Sequence, residues 1–205
     1  MTSIIFALFS LFLVSPAYSV TLQKKVIDVF DELISFRHPD SWTPAVEREK
    51  DKIYSLEYLQ KKEFSAQRWT ELFTIVALEN AISKNVSAQD AIKSIDTAVK
   101  EQCPNDFYYK TIGASEHRGK KQFEALIGCK KIPSTLASGL EKGDVDSGYY
   151  LAIEGEKSIY VFHKSKRSLK YRPEELITLS NYKEFIKDFS PMKVCSQGST
   201  KLRCR

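Results

Sequence analysis

Apolar and polar side chains alternate along Ile53–Gln60, with Tyr54, Leu56 and Tyr58 on one face and Ser55 and Glu57 on the other. A period of two, built from aromatic and branched residues, predicts a half-buried strand. The next apolar run, RWTELFTIVALE at 68–79, can be laid out in two ways. On a helix, Trp69, Leu72, Phe73 and Val76 form a stripe, but Ile75 and Leu78 fall off it and no cap brackets the segment. On a strand, Phe73, Ile75 and Ala77 face one way and Leu72, Val76 and Leu78 the other, as in a strand covered on both sides. Thr70, Thr74, Ile75 and Val76 favour this second layout because they are β-branched. Residues 70–79 are therefore expected to form a central strand, paired with 53–60 through the connection KKEFSAQ.

The period then changes. Ser87 with Asp90 three residues later makes a capping-box start, and Ile92, Ile95 and Val99, supported by Ala91 and Ala98, form one stripe opposite Lys93, Asp96 and Lys100. Cys103-Pro104 should end this helix. Further strands are predicted at 32–37, 107–112, 123–129, 149–154 and 158–163, the last two joined by the tight turn Gly155-Glu156-Lys157. A final helix is announced by Ser180, carries Tyr182, Phe185, Ile186 and Phe189 on one face, and stops at Pro191. The charged run Glu47–Lys52 reads as solvent-facing, and no element is assigned before Glu32. Antiparallel strands interrupted and followed by helices define an α+β layered domain.

The start of the chain follows different rules. Residues 1–19 carry no charge, and the apolar run Ile4–Val14 is about half as long as a membrane-spanning helix. Pro16 and the small residues of Ala17-Tyr18-Ser19 complete the layout of a cleaved secretory signal, without the basic residue that usually opens one. Residues 20–205 are expected to form a single globular domain, periplasmic or extracellular, with no membrane span. Four cysteines, Cys103, Cys129, Cys195 and Cys204, fit two disulfides in an oxidising compartment. Of the three possible pairings, spacing favours Cys103–Cys129 with Cys195–Cys204, the second pinning the C-terminal tail. Zinc is disfavoured because no C-x-x-C pair exists.

Two groups of residues carry a resemblance. SFRHPDSW at 35–42 is similar to the Phe/Tyr-Pro-x-x-Trp element that opens domains of the Mog1/PsbP-like fold. More specifically, the order of YSLEYLQ, the Trp-Thr-Glu strand, a helix ending in Cys-Pro, and a Gly-turn hairpin ending in basic residues resembles a group of uncharacterised exported proteins of Gram-negative bacteria. It spans residues 32–167. The resemblance implies an antiparallel sheet flanked by helices in a layered sandwich, here stapled by two disulfides, and it implies no catalytic residues.

Chemistry is sparse. The histidines His38, His117 and His163 show no metal-ligand spacing, and there is no G-x-S-x-G, P-loop or G-x-G-x-x-G. Ser115-Glu116-His117 are neighbours in sequence, whereas catalytic triads assemble from distant segments. Gly143–Gly148 carries Asp144 and Asp146 between glycines but lacks the further acids of a calcium loop, so it reads as a connection between strands. Asn85-Val86-Ser87 fits a glycosylation acceptor but reads as the cap of the helix. Trp42 and Trp69 are expected in the core. No catalytic residue, cofactor or metal is assigned.

Basic clusters are the remaining lead in a chain with net charge +5. Lys164, Lys166, Arg167, Lys170 and Arg172 form one without an intervening acid. Arg118, Lys120 and Lys121 form a second, and Lys193, Lys201, Arg203 and Arg205 a third. Converged, they would attract phosphate-rich partners such as lipopolysaccharide, anionic phospholipid or host nucleic acid. Tyr171 alone interleaves the first cluster, which disfavours a nucleic-acid platform. The expected function is surface recognition of a protein or anionic ligand without catalysis. The alternatives are a secreted, virulence-associated effector that binds an anionic host molecule or membrane through 164–172, and a hydrolase that uses carboxylates such as Glu57 or Glu71.

Overall fold

The computed structural model describes residues 20–63, 69–132, 144–168, 176–195, 198 and 200–204. Strands β3 (Trp42–Lys50), β4 (Ile53–Gln60), β5 (Glu71–Leu78), β6 (Phe107–His117), β7 (Lys120–Cys129), β8 (Val145–Glu154) and β9 (Ile159–Ser168) build an antiparallel sheet in the order β3-β4-β5-β9-β8-β7-β6. A three-stranded sheet, β1 (Leu22–Val29), β2 (Glu32–Pro39) and β10 (Lys193–Val194), has β2 in its middle. The helices are α1 (Ala88–Gln102), α2 (Tyr182–Ile186) and α3 (Lys201–Cys204). This is the α+β sandwich expected, with one refinement. α1 covers one face of the large sheet, whereas the small sheet and α2 together cover the other.

Alternation along the strands sorts the core into two layers. Leu126, Tyr149, Leu151, Ile153, Tyr160 and Phe162 pack with Ile34, Phe36 and Val194 of the small sheet and with Ile186 and Phe189. Their neighbours Ala125, Ile127, Ala152, Ile159 and Val161 pack beneath Ala88, Ala91 and Ile92 of α1. β5 lies between β4 and β9, hydrogen-bonded on both edges, with Phe73, Ile75 and Ala77 wholly buried and Leu72, Val76 and Leu78 half-buried. The two-faced layout read from its sequence is the one observed. α1 opens with the expected capping box, in which the Asp90 amide donates to Ser87 Oγ at 3.1 Å and the Ser87 amide to Asp90 Oδ2 at 3.1 Å. It ends at Cys103, which is bonded to Cys129 at the end of β7, and Cys195 is bonded to Cys204. Both favoured pairings are present.

Three expectations need correction. β1 and β3 are strands that the sequence hid, because both are edge strands. β1 exposes Lys24 and Lys25, and β3 carries Pro44, a register shift between Pro44 and Val46, and the run Glu47–Lys50. Charge, proline and bulges are the devices that keep edges from pairing with other chains, and they also erase the strand pattern. Residues 145–148 belong to β8 rather than to a connecting loop. There Asp146 accepts from Ser165 Oγ at 2.8 Å and from Arg167 Nε at 3.2 Å, which uses the carboxylate for cross-strand pairing. The last helix is a single short turn that begins after Asn181 instead of Ser180, although Tyr182, Phe185, Ile186 and Phe189 all face the core as expected.

A buried lysine fastens α2 to the large sheet. Lys164, 7% exposed, sits opposite Phe73 on β9, and its Nζ lies 2.9 Å from Glu71 Oε2 and donates to the Phe185 carbonyl at 2.8 Å. The ammonium also lies 4.1 Å from the ring centre of Phe185 and 5.1 Å from that of Phe189. Phe189 in turn stacks on Phe73 at 4.3 Å and meets Trp42 edge-on at 4.9 Å. Burial holds the Lys164 amine below its usual pKa, while Glu71 opposes that shift. A buried cation that loses its paired carboxylate is costly, whereas an apolar pair of similar volume is tolerated. Glu71→Gln should therefore cost about 2–4 kcal/mol in urea denaturation, and Lys164→Met combined with Glu71→Leu less than about 1 kcal/mol.

Candidate functional site: a basic pocket at the sheet junction

The first basic cluster does not form a surface. Lys164 is buried as described. Arg167 pairs with Asp146, and its guanidinium lies 3.4 Å from the centre of the Trp69 ring. Trp69 is thus a half-buried stacking partner, and Trp42 alone is a core tryptophan. Lys166 is half-buried, and Lys170 and Arg172 lie outside the described residues. Lys164 Nζ and Arg167 Nε are thus engaged within the fold.

The second and third clusters do converge. The β6–β7 hairpin turns at Arg118 and Gly119, with φ of 55° and 75°, the paired positive values of a turn whose twist matches its strands. That turn carries His117 and Arg118 to the end of the large sheet. β10 pairs with β2 through Lys193 opposite Ser35 and Val194 opposite Ile34, which brings Lys193 to the same place. The Cys195 amide donates to the Leu33 carbonyl at 2.8 Å, and the Cys195–Cys204 bridge then holds α3 so that Arg203 closes the ring. The result is a surface pocket of about 140 Å³, with Ile153, Val194 and Cys195 as its apolar wall. Lys201 is exposed on α3 and Lys121 on β7, and Arg205 lies outside the described residues.

Among the described residues, only one of the pocket cations is neutralised from within. Lys120 Nζ lies 3.7 Å from Oε1 of the buried Glu32 and 4.0 Å from Glu156. Glu32 also accepts from the Glu156 amide at 2.7 Å, and the Tyr160 hydroxyl lies 3.2 Å from its Oε2. A Cβ at position 155 would meet the Glu32 carboxylate, so Gly155 lets that carboxylate lie directly against the turn. Among the described residues, no carboxylate pairs with Arg118, Lys193 or Arg203. Lys193 is held below the usual lysine pKa by partial burial first, and then by the nearby charges of Lys24 and Arg118. Unpaired like charges gathered around a concavity raise its potential and draw in anions.

The sequence places Arg118, Lys120, Lys193 and Arg203 in basic clusters but does not show where these meet, nor the parts of His117, Lys24 and Glu32. The one available signal was the predicted tail disulfide, which says that the third cluster is held against the body. Ser115 and His117 project from one face of β6 and Glu116 from the other, so these three form no triad. Among the described residues, no group of three His, Cys, Asp or Glu side chains is placed to hold a metal.

No protein-family model and no curated protein matches the chain. Among solved structures, it is similar to the cyanobacterial PsbP protein CyanoP of Synechocystis sp. PCC 6803. The TM-score is 0.47 at 14% identity, over 85% of this chain and 91% of that one. It is also similar to LpqN, involved in cell envelope biogenesis of Mycobacterium tuberculosis. There the TM-score is 0.37 at 9% identity, over 84% of this chain and 91% of that one. These are likenesses of overall fold and say nothing of activity.

The other histidines titrate with the fold. His163 stacks on Tyr150 at 4.0 Å, and its Nε2 is buried against Gly148 without a hydrogen-bond partner among the described residues. Burial, and secondarily the charge of Arg167, pushes its pKa down to about 3. His38 is buried and lowered in the same direction. The folded chain therefore refuses a proton that the unfolded chain accepts near pH 6.5. Stability is complete above that pH and falls as the pH drops toward 3. Between about pH 7 and 4.5 the wild-type chain should lose about 2 kcal/mol through His163 alone, and His163→Leu should remove that part of the slope in urea titrations at the two pH values.

Proposed function

We propose that the chain is an exported protein that acts by recognition rather than by turnover, and that it engages an anionic partner through the pocket formed by Arg118, Lys193 and Arg203. In this reading residues 1–19 are a cleaved signal, and 20–205 form one domain with its tail pinned by a disulfide. The two disulfides fit an oxidising compartment. Among the described residues, no helix is long and apolar enough to cross a membrane.

The observation that carries the reading is the convergence of two basic clusters, far apart in sequence, on one concavity where, among the described residues, Lys120 is the cation that Glu32 and Glu156 pair with. An effector contact restricted to 164–172 has less support, because Lys164 and Arg167 are already engaged within the fold. A hydrolase that used Glu71 would have to release it from Lys164. The triple variant Arg118→Glu, Lys193→Glu, Arg203→Glu should bind an immobilised polyanion at least tenfold more weakly, a loss of about 1.4 kcal/mol or more. Lys166→Glu should change retention little. Equal losses in the two variants, with both folded by circular dichroism, would count against the pocket.

A further inference from the structure

The shape and charge of the pocket narrow its ligand class, a narrowing that rests on the anion-recognition reading proposed above. Arg118 reaches the pocket from the β6–β7 turn, Arg203 from α3 and Lys193 from β10. Among the described residues, these two guanidinium forks and one ammonium have no carboxylate partner, whereas Lys120 belongs to Glu32 and Glu156. Guanidinium groups hold tetrahedral oxyanions through paired, parallel hydrogen bonds, which a single ammonium cannot do.

We infer that the pocket takes a terminal phosphate monoester, with the carbon skeleton next to the phosphate lying on the apolar wall. Three observations favour this class. A monoester carries about −1.5 to −2 charges at neutral pH and three free oxygens, which suits three unpaired cations better than the single charge of a diester. The cavity of about 140 Å³ has room for a phosphate and a short attached group. Among the described residues, its lining includes no Phe, Tyr or Trp. His117 is the one aromatic ring among the described lining residues, too few for the successive stacked bases of a single strand. Ile153, Val194 and Cys195 instead offer a dry surface beside the cations. The Cys195–Cys204 bridge sets the distance of Arg203 from Lys193, so the site exists in full only in the oxidised chain.

The test is an amide-resolved NMR titration of the full chain with methyl phosphate and, separately, with dimethyl phosphate. Methyl phosphate should shift the amides of Arg118, Gly119, Lys193 and Arg203 at concentrations at least tenfold lower than the diester does. Arg118→Gln with Arg203→Gln should abolish that preference. Arg118→Lys with Arg203→Lys, which keeps the charge and so guards against misfolding, should weaken methyl phosphate binding several-fold. Sedimentation with phosphatidic acid vesicles but not with phosphatidylglycerol vesicles would assign the monoester to a lipid headgroup. Methyl phosphate binding without sedimentation would assign it to a soluble ligand, and either result supports the inference. Equal affinity for the two esters at the pocket overturns the monoester inference and leaves anion recognition standing. If neither ester moves any pocket amide, both readings are overturned.

Discussion

A carboxylate with almost no contact with water, Glu32, decides how the two sheets meet. It is 3% exposed at the start of β2 and reaches out of the small sheet to the amide of Glu156, the hydroxyl of Tyr160 and the ammonium of Lys120, all on the large one. An ionised carboxylate is expensive to bury unless its oxygens are hydrogen-bonded and its charge is countered. Here both conditions are met by groups from β7, β9 and the β8–β9 turn. The sheets can therefore approach in only one arrangement without leaving this charge unsatisfied. The pocket follows from that arrangement, since one of its walls belongs to each sheet. Glu32 also decides which cations are free, because it commits Lys120 to the interior of the junction.

Lys164 does at the middle of the large sheet what Glu32 does at its end. Each is a charge placed where alternation would put an apolar residue, and each fastens a cover onto the sheet. The aromatic layer of Phe73, Phe189 and Trp42 supplies most of the burial, but apolar surfaces slide easily on one another. A directional bond from Lys164 to the Phe185 carbonyl fixes α2 in one position on that layer. Residues 182–186 form too short a helix to hold themselves, so their conformation is set by this anchoring and by the core.

Most of the large sheet is legible because its signals are local. The strand at 53–60 and the helix from Ser87 to Cys103 need only alternation, a 3.6-residue stripe and a capping box, and each is found where it is expected. What the sequence hides is of two kinds. Edge strands β1 and β3 break their own pattern with charge and proline. The charges at 164 and 167 look like surface because they sit in a basic run, yet the alternation Tyr160, Phe162, Lys164 already places the lysine on the buried face. Carrying the period of two through the charged residue shows that Lys164 points inward, and the same habit extends β8 back through Asp146.

The pocket itself is beyond local reading. Arg118 and Lys193 are brought together only when β10 pairs with β2, and Cys204 Sγ lies 3.7 Å from the carbonyl of Leu33 across a separation of 171 residues. Composition announces such a site only as a positive balance without a location. The structure adds a cost to the balance. Lys193 is desolvated beside Lys24 and Arg118, so the pocket gathers like charges whose repulsion the fold must outweigh elsewhere. The two-residue strand β10 is too short to hold that arrangement by its own hydrogen bonds. The disulfide from Cys195 to Cys204 supplies the missing restraint, because a covalent closure ties α3, which carries Arg203, to the end of β10. The gathering of cations and the closure of the tail are therefore one physical problem, and the fold solves it with a bond that does not weaken when salt screens the charges.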